Sequence, residues 1–177
     1  MLLSRIPLFM FQAVQAALLP RLSRLAARGE FDEFKAGFRK LVVLVLAVGV
    51  LGTAGGYTVG PWIIRTMYAT DLHSRTLAML ALGSALYMLA LSLAQAVLAL
   101  NGHALVALGW TCGMAAFVVV TWLSSDDLFR RIEFGLVASS AAALITFAIA
   151  LRMRLNAGAE LTQAGIAEAI VDVPFDA

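Results

Sequence analysis

Charged residues fall in clumps along the chain, and the intervals between the clumps predict the fold. No charged residue lies between Arg5 and Arg21, between Lys40 and Arg65, between Arg75 and Asp126, or between Glu133 and Arg152. A helix that crosses the hydrocarbon core takes about 20 mostly apolar residues. The first interval is short, at 15 residues, and its span takes in Arg5; each of the others is long enough for one span and the third for two. The predicted spans are 2–19, 41–64, 76–100, 104–123 and 134–151. In lipid the backbone must satisfy its own hydrogen bonds, so such segments are helical. The expectation is an all-α integral membrane bundle of about five transmembrane helices. Residues 1–152 form the transmembrane region and 153–177 a tail.

The polar positions punctuate this pattern. Pro20 and Arg21 mark the exit of the first span, and Arg21, Arg24 and Arg28 follow at helical spacing. Gly29 is expected to break that helix before an acidic turn at Glu30–Glu33. Phe31, Phe34 and Phe38, interleaved with Lys35, Arg39 and Lys40, read as an amphipathic interfacial turn into the second span. That span would be about 36 Å long at 1.5 Å per residue, enough to cross with some tilt. Trp62 and Trp122 lie near span ends, where tryptophan suits the lipid–water boundary. Asn101-Gly102-His103 divides the long interval, since Asn-Gly is a strong turn signal. The tail carries Glu160, Glu168, Asp172 and Asp176, with a short helix expected around Leu161–Ile170.

Composition agrees with the pattern. The chain is 62% hydrophobic, against about 45–50% for an ordinary soluble domain. A net charge of +2 points away from nucleic acid as a partner. The basic residues flank the spans, where they meet lipid headgroups of the bilayer. The single cysteine, Cys112, excludes a disulfide framework and reads as a small apolar packing residue. Gln12, Gln15 and the Pro20-Arg21 end argue against a cleaved leader, so the first segment reads as a mature helix.

Alternate loops divide the cations unequally. One side collects Arg21, Arg24, Arg28, Lys35, Arg39, Lys40, Arg152 and Arg154; the other collects Arg65, Arg75, Arg130 and Arg131. The first side is expected to be cytoplasmic, with the C-terminus inside and Met1 outside a multi-pass cell-membrane protein. An outward start without a leader leads us to expect a piece of a longer protein.

No catalytic constellation, cofactor motif or metal-ligand spacing is present, and the chain is not read as an enzyme. Arg5 is the most informative polar residue, because an arginine at a helix centre costs about 2.5–3.5 kcal/mol on the insertion scale. Arg5, Gln12 and Gln15 share one helical face and are the candidate substrate-binding stripe, with snorkelling of Arg5 to the interface as the alternative. Ser84, Ser92 and Gln95 form a second stripe, expected to serve interhelical hydrogen bonds. Gly52, Gly56 and Gly60, and likewise Gly109 and Gly113, recur every four residues and predict close helix packing. His103 reads as a polar loop residue.

The segment SRIPLFMFQAVQAALLPRLSRLAARGEFDEFKAGFRKL, from Ser4 to Leu41, resembles the polysaccharide exporters of the multidrug/oligosaccharidyl-lipid/polysaccharide (MOP) flippase superfamily. The resemblance rests on Pro20-Arg21-Leu22-Ser23 closing a helix, on the basic connection with Gly29-Glu30, and on the later hairpin AQAVLALNGHALVALGW. It implies a MATE-like fold in which these spans match helices two to six of the C-terminal half. It also implies alternating access, with a lipid-linked glycan as substrate, Arg5 against its pyrophosphate, and the missing N-terminal half or other membrane helices as partners. A multidrug exporter of the same superfamily and a non-transporting membrane scaffold or accessory subunit are the competing readings.

Overall fold

The computed structural model describes residues 20–68, 73–124 and 127–171, with 67, 68 and 159–171 as backbone only. All described elements are helical. They are α1 (20–27), α2 (Phe31–Thr58), α3 (Gly60–Tyr68), α4 (Ser74–Ala99), α5 (His103–Leu123) and α6 (Leu128–Val171). Within these, Phe31–Thr58, Ser74–Ala99, His103–Leu123 and Leu128–Gly158 are long and apolar enough to cross a membrane. The all-α membrane bundle expected from the sequence is what forms. The first predicted span, 2–19, lies outside the described residues.

Two helix ends are closed by the same backbone device. At the end of α1, Gly29 takes φ 72°, its N–H bonds to Ala26 O at 3.2 Å and that of Glu30 to Leu25 O at 3.0 Å. At the end of α4, Asn101 takes φ 58°, its N–H bonds to Leu98 O at 2.9 Å and that of Gly102 to Val97 O at 2.9 Å. Both are Schellman closures, which need a residue that tolerates the left-handed region. Glycine does so freely, and asparagine better than other side chains. In the Asn-Gly pair it is Asn101 that turns the chain.

Three boundaries differ from expectation. The predicted second span is two helices, because Pro61 has no N–H to continue the ladder. α2 therefore closes with Val59 N on Gly55 O at 2.8 Å, and α3 starts at Gly60. The three phenylalanines are the first turns of α2 itself rather than a separate interfacial turn. Phe34 is fully buried and stacks on Phe38 with centroids 6.3 Å apart. Finally, α6 starts six residues before the predicted span and continues through 152 into the tail. Its start is fixed by Asp127, whose Oδ1 accepts the Phe129 N–H at 3.0 Å, and no proline occurs until Pro174.

The long helices stand in the spatial order α2, α4, α6, α5. α4 packs against both α2 and α6, and α5 packs chiefly on α6. The result is an open row with α4 and α6 inside and α2 and α5 on the flanks. On α2 the buried residues are confined to Phe34, Leu41, Val45 and Gly49. Lipid solvates apolar side chains as well as a neighbouring helix does, so such helices cohere through close fit. Glycines supply that fit at each contact. A Cβ on Gly49 would stand 2.7 Å from Ala85 Cβ, one on Gly83 2.7 Å from Leu136 Cγ, and one on Gly113 3.2 Å from Ala143 Cβ. Gly56 and Gly60 pack on Leu77, whereas Gly52 faces open space. The main core gathers at one end, where Leu22 and Leu25 of α1 are buried with Phe34, Val97, Phe147 and Leu151.

Candidate functional site

The basic end is assembled from four elements. α1 carries Arg21, Arg24 and Arg28, α2 begins with Lys35, Arg39 and Lys40, α5 begins at His103, and α6 passes with Arg152 and Arg154. The fold ties these together: Arg154 Nη2 donates to Asn101 O at 3.3 Å, and the Phe31 ring lies against Gly158. A cavity of about 450 Å³ opens among them, lined in part by Ser23, Asn101, His103 and Arg154. His103 is the first residue of α5 and faces this cavity, so it belongs to a helix rather than to a loop.

On the flank of the row an apolar groove of about 570 Å³ runs between α2 and α4. Leu46, Val50, Leu82 and Leu86 stand along it, and small residues including Gly49 and Ala85 form its floor. Thr53 and Thr58 also line it, but their hydroxyls donate to Gly49 O and Ala54 O, each at 2.8 Å. These threonines therefore present methyl groups, and the groove suits a hydrocarbon chain.

At the end opposite the basic cluster, the starts of α4 and α6 enclose a third cavity of about 310 Å³. His73, Arg75, Thr76, Asp127, Arg130 and Glu133 line it. Glu133 is only 3% exposed, and among the described residues its Oε2 has no hydrogen-bond partner. Arg130 Nε is 3.8 Å from Asp127 Oδ2, and the Arg75 guanidinium lies over the Phe134 ring, 5.9 Å from its centroid. Nearby, Arg131 Nε donates to Thr121 O at 2.9 Å and ties the end of α5 to the start of α6.

The sequence-predicted stripe of Arg5, Gln12 and Gln15 lies outside the described residues. The second stripe does not bridge helices through its serines. Ser84 Oγ donates to Leu80 O at 2.9 Å and Ser92 Oγ to Met88 O at 2.8 Å, each one turn back in α4. In a helix that carbonyl is always within reach of a serine, whereas a partner helix must be placed for it. Sequence reasoning missed Glu133, because a charge at the edge of an apolar interval reads as the boundary of the span. The missed signal is its register. Glu133, Leu136, Ser140, Ala143 and Phe147 recur at three and four residues, so the glutamate continues the inward face of α6. Among the described residues no group of three or more His, Cys, Asp or Glu side chains could hold a metal ion.

The chain matches no protein-family model, no curated protein and no solved structure in these comparisons, so the site's function rests on its own chemistry.

Proposed function

We propose that this chain is part of a membrane exporter that moves lipid-linked polysaccharide precursors across the cell membrane by alternating access. The observation that carries the reading is the apolar groove between α2 and α4, open at the side of the row and lined by hydrocarbon. A polyprenyl chain fits such a surface and stays in contact with the bilayer while its headgroup moves. The likeness of the segment from Ser4 to Leu41 to polysaccharide exporters supports the same reading. The cation-rich end is the cytoplasmic one on this reading, since positively charged loops are retained inside. Arg5 would then pair with the pyrophosphate through a guanidinium fork, with Gln12 and Gln15 on neighbouring oxygens.

The test is export of a fluorescent polyprenyl-pyrophosphate glycan in cells carrying the full-length protein, with membrane abundance measured in parallel. Ala54→Phe fills the exposed side of the groove without entering the contact between Gly49 and Ala85. Export is expected to fall at unchanged abundance, and Arg5→Ala is expected to abolish it. Normal export by both variants refutes the reading. It would favour a non-transporting scaffold, to which the close glycine-fitted packing of α4, α5 and α6 is equally suited.

A further inference from the structure

The cavity at the starts of α4 and α6 has a charge arrangement that the export reading does not use. A buried carboxylate without a partner is costly, because it has left water and gained no hydrogen bond in exchange. Among the described residues Glu133 is such a group, and it lines the cavity. An i,i+3 pair on a helix stands about 5–6 Å apart at Cβ, within ion-pairing range. Arg130 occupies that position relative to Glu133, yet its guanidinium leans toward Asp127 instead. Among the described residues Glu133 is thus left without a donor beside the cavity it lines.

The other side of the cavity favours an anion. Two long helices begin there, and each N-terminus carries partial positive charge on its first N–H groups. Asp127 caps α6 with its side chain, whereas His73 at the start of α4 makes no side-chain cap. The N–H groups of the first turn of α4 suit an oxyanion, beside the exposed guanidinium of Arg75. A bare metal ion is disfavoured by Arg75 and Arg130. A simple anion leaves Glu133 unanswered. A zwitterion that carries a phosphate and an N–H-bearing ammonium a few bonds apart satisfies both halves.

The volume and surroundings point to the source of that zwitterion. About 310 Å³ is at the low end of ligand cavities, which run about 300–1,000 Å³. It accommodates a headgroup rather than a whole lipid. Phe129, which lines the cavity and is 58% exposed, offers apolar surface for the acyl chains. We propose that this cavity binds the phosphoethanolamine headgroup of a membrane phospholipid, with phosphate on Arg75, Arg130 and the first turn of α4, and ammonium on Glu133. The proposal does not depend on glycan export, and either can fail alone.

Lipid retention by the purified full chain tests it, read by native mass spectrometry after exchange into equal mixtures of diacyl lipids. Phosphatidylethanolamine should be retained over phosphatidylcholine by about tenfold, because a quaternary ammonium has no N–H to give Glu133 and forfeits one charge-assisted hydrogen bond. Glu133→Gln should cut that preference several-fold. Arg75→Gln, at an exposed position that leaves folding intact, should weaken both lipids together and keep their ratio. Equal retention of the two lipids by the unaltered chain overturns the proposal, as does an unchanged ratio in Glu133→Gln. If Glu133→Gln does not fold, the ratio in the unaltered chain and the joint weakening in Arg75→Gln decide. Soluble phosphoethanolamine displacing the lipid at equal concentration would overturn the lipid assignment, because the acyl chains would then add nothing.

Discussion

Replacing Gly109 by alanine inserts a single methyl group where the Phe147 ring lies. The new Cβ would stand 2.7 Å from both Cδ1 and Cζ of that ring, with Cε1 closer still. The ring has nowhere to go. Phe147 is fully buried and makes an edge contact with Trp110, centroids 5.1 Å apart. α5 must therefore move away from α6, and overpacking of this kind costs about 1–3 kcal/mol. Gly52→Ala is the matched control, because nothing stands within 4 Å of its Cβ position. There alanine should gain about 1 kcal/mol from helix propensity. That gain is common to both variants, so they should differ by the overpacking cost of about 1–3 kcal/mol, or about 2–12 °C in melting temperature for a chain of this size. Thermal unfolding in detergent, followed by helical circular dichroism, reads the gap. A double variant, Gly109→Ala with Phe147→Leu, should recover part of the loss, since the two positions are in contact. Equal melting of Gly109→Ala and Gly52→Ala would refute the packing of α5 on α6.

Two further predictions follow from the turns and the ends. Asn101→Val should destabilise by about 1–2 kcal/mol, the cost of forcing an ordinary side chain into the left-handed region, whereas Asn101→Gly should be close to neutral; chemical unfolding of the two variants separates them. Single cysteines placed at the exposed positions Lys35, His103 and His73, on a Cys112→Ala background, should label from two sides. Membrane-impermeant maleimide added to intact cells should reach His73→Cys only, and labelling of His73→Cys and His103→Cys from one side would refute the crossing of the membrane by α4.

By itself, the sequence determined the class of protein and the approximate places of its four long described helices. Uncharged intervals of span length have no soluble alternative at this apolar content, and Gly29 and Asn101-Gly102 end helices through local backbone chemistry. Those signals are written in neighbouring residues. It also predicted that Gly109 and Gly113 pack, because small residues four apart share a helix face, and they do. Only the tertiary structure decided which helices are neighbours. α2, α4 and α5 are apolar on nearly every face, so amphipathicity does not say which face is inside. Gly52 and Gly56 look alike along the chain, yet one faces open space and the other Leu77. The same holds for the charged residues at the end of the row. Arg75 and Glu133 both read as span boundaries, and only the packing of α6 against α4 leaves one exposed and buries the other. Burial is a property of neighbours distant in sequence, and in lipid it is set by the fit of surfaces rather than by hydrophobicity.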